Sequence, residues 1–274
     1  MSVESSHSLV FDNLTLGYQS HPAIHHLSGA ISRASLTAIV GANGSGKSTL
    51  LKGIVGLLRP MSGELNLAHD QRVAYLPQQS ELDRTFPARV RDVVAMGLWD
   101  KCGLLQRRSA EDHNSVREAL MAVGLEGFDD RPIDSLSGGQ LQRVLFARVL
   151  VQDANLILLD EPFNAIDSKT VSDLVALIHR WHQEERTILV VVHDLELVRD
   201  HFENALLLAR HPVAWGDVDT VLQPENLLKA RNFRETWDEE APWCDVSDHD
   251  GHVLHKHKKS SAGSSAEIRD TVTG

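Results

Sequence analysis

Leu36-Thr37-Ala38-Ile39-Val40-Gly41-Ala42-Asn43-Gly44-Ser45-Gly46-Lys47-Ser48-Thr49 decides the fold. The apolar run from Leu36 to Val40 reads as a buried strand, and the residues from Gly41 to Ser48 satisfy the spacing G-x-x-x-x-G-K-[ST] without a departure. Its glycines let consecutive backbone N–H groups converge on an anion, and the next helix adds its positive N-terminal end. Lys47 is placed to reach the β and γ phosphates of a nucleotide, and Ser48 to offer a hydroxyl to Mg2+. A glycine-rich turn without a ligand would not require Lys followed by Ser at these offsets. Gly41, Asn43, Gly44, Ser45, Gly46, Lys47, Ser48 and Thr49 are therefore candidates for binding ATP with its Mg2+.

A second stretch, Leu156-Ile157-Leu158-Leu159-Asp160-Glu161, reads as a strand buried on both faces that ends in two acids. Asp160 could hold Mg2+ through its water shell, and Glu161, one position on, could aim at the water that attacks the γ phosphate. An isolated acidic pair would read as a strand end and a turn cap. The phosphate loop upstream gives it chemistry.

Between these lies Leu136-Ser137-Gly138-Gly139-Gln140, ahead of the helical pattern Leu141 to Arg148. Ser137 can cap that helix while the two glycines allow a tight entry. The same N–H groups form a second anion site, although the first already holds the phosphates. Here the sequence resembles the ABC ATPases, whose signature motif is LSGGQ. The resemblance implies a head-to-tail dimer in which the signature of one copy closes on the γ phosphate held by the other.

The other family elements fall in order along the chain. Gln78, in Leu76-Pro77-Gln78, resembles the Q-loop glutamine that touches Mg2+ or the attacking water, with Gln79 a neighbouring candidate. Asn164-Ala165-Ile166-Asp167 resembles the D-loop, usually written with Ser first and Leu third, and retains Asp167. His193 comes after the β-rich run Thr187 to Val192, where the family places its switch histidine, a weight that a lone histidine would not carry. Tyr18 resembles the aromatic that stacks on adenine, an exposed turn tyrosine being the alternative. The implied fold is α/β: a P-loop NTPase with a RecA-like core, an antiparallel β subdomain and an inserted helical subdomain. Glu161, His193, Lys47 and Gln78 would carry the hydrolysis.

Composition narrows the class. The longest apolar runs fall far short of the roughly 20 residues that cross a bilayer, and Met1 to Ser8 lacks a basic region followed by an apolar one. Cys102 and Cys244 are the only cysteines, and their separation suits neither a zinc nor a redox motif. A net charge of −11 argues against broad adhesion to nucleic acid or anionic lipid. The expected location is the cytoplasmic face of the membrane, reached through a protein partner.

At 274 residues the chain can hold one sizeable α/β core with an insertion. A nucleotide-binding domain is expected over 1–232, with its helical subdomain over about 80–153. There Val90, Val93, Val94 and Gly97, then Val116, Leu120 and Val123, recur at helical spacing. From Asp167 to Glu185 the stripe Val171, Leu174, Leu177, Ile178 and Trp181 predicts an amphipathic helix facing the core. The insertion, with Thr85 to Gly97, Arg107-Arg108-Ser109 and Val123-Gly124-Leu125, is similar to the ATP-binding subunits of zinc and manganese ABC importers. Val213-Ala214-Trp215-Gly216 continues that likeness, with Trp215 where a smaller aromatic is usual.

The likeness implies membrane permease subunits docked on the helical subdomain and a solute-binding protein reached through them. Iron complexes or another small solute are the alternative cargo, and a soluble ABC ATPase outside transport the alternative class. Residues 233–274 read as a polar tail, largely disordered, whose His249, His252, His255 and His257 could ligate zinc transiently.

Overall fold

The computed structural model describes residues 6–19, 21–78, 84, 86–99 and 109–236. The Gln79 alternative, the Arg107-Arg108 pair and the tail histidines lie outside the described residues.

The chain opens with a long hairpin, β1 (His7–Tyr18) and β2 (His21–Ser32), then passes through β3 (Leu36–Val40), α1 (Lys47–Ile54), β4 (Ser62–Leu67) and β5 (Val73–Leu76). The inserted helical segment comes next, with α2 (Val90–Ala95), α3 (Ala110–Ala122) and α4 (Gly138–Val151). The core resumes with β6 (Leu156–Leu159), α5 (Ser168–Gln183), β7 (Thr187–Val191), α6 (Leu195–His201), β8 (Asn204–Leu208) and β9 (Pro212–Asp217). Two helices close the described chain, α7 (Val218–Val221) and α8 (Pro224–Thr236).

The larger sheet has the order β5-β6-β7-β3-β8-β9, parallel throughout except for the antiparallel edge strand β9. Its central strands are apolar at nearly every position because both faces are covered. Along β3, Ala38 and Val40 face a core shared with α4 and α5, while Ile39 faces a core shared with α1 and the antiparallel sheet β2-β1-β4. The run Thr187 to Val192 yields a strand one residue shorter, and the stripe from Leu174 to Trp181 is buried as its spacing predicts, with Val171 half-buried.

In the insertion, Val90, Val93 and Val94 of α2 and Val116 and Leu120 of α3 join Leu141, Val144 and Leu145 of α4 in one core. Helix α4 runs on into the sheet core, where Phe146 stacks on Trp181 of α5 at 5.6 Å and 19°. Trp215, the unusual aromatic, lies on β9 against Phe11. It is accommodated by Gly29, whose φ of 148° suits glycine and where a Cβ would stand 2.6 Å from the indole.

Candidate functional site

Parallel α/β sheets place their ligands beyond the carboxyl ends of the strands. Here β3 ends in the glycine loop, β5 runs into Gln78, β6 into Asp160 and Glu161, and β7 into His193. These ends converge on a cavity of about 610 Å³ lined by Asn43, Gly44, Gly46, Lys47, Ser48, Thr49, Gln78, Glu161, Asn164 and His193.

The loop has the form of an anion cradle. Gly44 and Gly46 take φ of 78° and 98°, and a Cβ on Gly46 would stand 2.8 Å from the carbonyl of Ala23. Gly41 passes so close to the carbonyl of Leu208 that a Cβ would lie 2.2 Å from it. The Ser45 hydroxyl is buried without a hydrogen-bond partner among the described residues, a polar atom for which a phosphate oxygen is a fitting partner. Lys47 donates through Nζ to the carbonyls of Gly41 and Ala42, each at 3.0 Å, which holds the ammonium across the loop mouth. Burial lowers its pKa, while Glu161 and Asp160 oppose that shift.

Ser48 Oγ donates to Asp160 Oδ1 at 3.0 Å. Asp160 is buried, and Tyr75 Oη lies 3.5 Å from its other oxygen. A hydroxyl beside a carboxylate is an oxygen-only donor set, the kind that suits Mg2+. Glu161 has φ of 50°, a left-handed conformation unusual for glutamate and typical of strained functional turns. Its carboxylate accepts from Gln78 Nε2 and His193 Nε2, both at 2.6 Å. Among the described residues the site thus joins a phosphate loop, an oxygen pair for a divalent ion and a carboxylate held beside a histidine.

Several sequence candidates stand elsewhere in the single chain. Tyr18, at the end of β1, is 46% exposed and does not line the cavity. Ser137 and Gln140 form a reciprocal capping box at the start of α4. Asp167 caps α5 by accepting from the N–H and hydroxyl of Thr170, bonds that hold its carboxyl below the usual range. Gly138 and Gly139 begin α4 beside this cap, a Cβ on Gly139 meeting Thr170 Oγ1 at 3.1 Å. Conversely, Asn164 lines the cavity although motif spacing does not mark it as a site residue. Its only signal in the sequence is the departure from serine at the head of the D-loop.

A glycine cradle opposed by two strand-end acids and a histidine defines a nucleoside triphosphate hydrolase of the P-loop class. The chain belongs to the ABC transporter family, whose profile matches residues 24–164. Over 236 residues it is 40% identical to the zinc transport system ATP-binding protein TroB of Treponema pallidum (strain Nichols), covering 84% of this chain and 89% of that one. It is 38% identical over 232 residues to the manganese transport system ATP-binding protein MntB of Bacillus subtilis (strain 168), covering 82% of this chain and 93% of that one. The dimeric post-hydrolysis structure of the cassette MJ0796, bound to ADP and Pi, superposes with a TM-score of 0.68 at 27% identity, over 77% of this chain and 98% of that one. ATP binding and hydrolysis follow from the family, and the α/β cassette fold is that read from the sequence.

Proposed function

We propose that this chain is the ATP-hydrolysing subunit of an importer of divalent metal ions, zinc or manganese. The observation that carries the reading is the convergence of Lys47, Ser48, Gln78, Glu161 and His193 on one cavity, in a chain that matches zinc and manganese transport subunits along most of its length.

The loop N–H groups and Lys47 hold the phosphates and offset charge that develops as the γ phosphate leaves. Ser48, Asp160 and Gln78 would hold Mg2+, which would supply positive charge to offset that of the phosphates. Glu161 takes the proton of the attacking water, and His193 orients that water and the γ phosphate. Tyr18 stacks on adenine.

Ser137, Gly138, Gly139, Gln140 and Asp167 act across a head-to-tail dimer, each copy completing the other's site. Their place outside the single-chain cavity supports this assignment, as does the dimeric MJ0796 cassette. ATP then favours the closed dimer by differential binding, and product release lets the copies part. Permease subunits dock on the helical insertion and a solute-binding protein delivers cargo through them, which puts the chain at the cytoplasmic face of the membrane. No helix among the described residues is long and apolar enough to cross one. The nucleotide-binding domain would end near residue 232, and the tail would stand outside it.

Elemental analysis of cells lacking the protein, grown under metal limitation without a redundant importer, tests the reading. Zinc or manganese should fall and be restored by the intact chain but not by Lys47→Ala. Unchanged zinc and manganese would contradict it.

A further inference from the structure

We propose that Asn164 is a positioning residue for hydrolysis, whose amide holds one oxygen of Glu161 so that the other faces the attacking water. Oε2 of Glu161 accepts from Gln78 Nε2 at 2.6 Å and from Asn164 Nδ2 at 2.5 Å, while Oε1 accepts from His193 Nε2 at 2.6 Å. An ionised carboxylate only accepts, so the Asn164 and Gln78 amides turn their nitrogens to it and His193 carries its proton on Nε2. Each carboxylate oxygen offers about two acceptor directions. Both on Oε2 are taken, and Oε1 keeps one. Only Oε1 can receive a proton without breaking the clamp.

The turn makes this possible. Glu161 and Ala165 take φ of 50° and 56°, and the Asn164 N–H donates to the Glu161 carbonyl at 3.3 Å, closing the turn so that the two side chains meet. Asparagine in place of the usual serine extends the donor by one atom. The Asn164 side chain is exposed, so its bond to Glu161 owes nothing to core packing.

The inference rests on the role of Glu161 as base, and single-turnover hydrolysis by the full chain separates the two. Asn164→Ala and Asn164→Asp should lower the rate about 10- to 100-fold, the worth of one hydrogen bond to a charged group, with ATP affinity unchanged. In a Glu161→Gln background, Asn164→Ala should cause no further loss, because residues acting as a unit are not additive. An unchanged or faster rate for Asn164→Ala, or the same fractional loss in both backgrounds, overturns the inference and leaves the base in place. Full activity in Glu161→Gln alone overturns both.

Discussion

Burial lowers the pKa of both Lys47 and His25, and the ordinary value of a histidine already lies where proteins are handled. Burial lowers the His25 pKa, helped by the neighbouring charges of His26, Arg210 and His211. A group whose folded pKa lies below its unfolded one stabilises the fold above the unfolded value, near 6.5 for histidine, and that contribution is lost as pH falls through the folded value. His179 is lowered too, by burial and by His201 and His182, with Glu203 opposing. The thermal midpoint should therefore fall between about pH 7.5 and 5.5, above the range where carboxylates protonate. His25→Gln should flatten that fall without abolishing it. A wild-type midpoint that is level or rises toward acid would contradict the assignment. The site's own residues are legible in the sequence because phosphate chemistry ties Lys47, Ser48, Asp160 and Glu161 to fixed offsets. Asn164 is not, because its role depends on a left-handed turn at Glu161 that no offset announces.

Helices α4 and α5 couple the insertion to the sheet through the Phe146–Trp181 stack, both rings being fully buried. Trp181→Ala should destabilise the protein by about 3–5 kcal/mol, through lost burial and a residual cavity. Trp181→Phe should cost much less. The indole N–H has no partner among the described residues, so its removal also relieves a desolvation penalty. Chemical denaturation measures both, and equal losses for the two variants would contradict the part assigned to the stacked ring. The stripe that names Trp181 is readable because helical spacing marks a buried face whatever covers it. The partner ring is not, since periodicity says which side faces inward and nothing about what it meets.

At the scale of the molecule, motif order and helical spacing are enough to predict the α/β core and the inserted helices, and the antiparallel sheet follows from the family resemblance those motifs carry. Strand order is not contained in the motifs or the spacing. β3 lies between β7 and β8, strands far along the chain, because crossovers rather than local pattern select neighbours. That order puts the loop after β3 beside the ends of β6 and β7, which is why residues from distant segments share one cavity. The central claim is that this shared cavity hydrolyses ATP with Glu161 as base. The most direct test measures ATP binding and single-turnover hydrolysis by the full chain and by Glu161→Gln, which keeps shape and removes the base. Retained ATP affinity with hydrolysis slowed about 100-fold or more is the predicted result. Hydrolysis at the wild-type rate would contradict it.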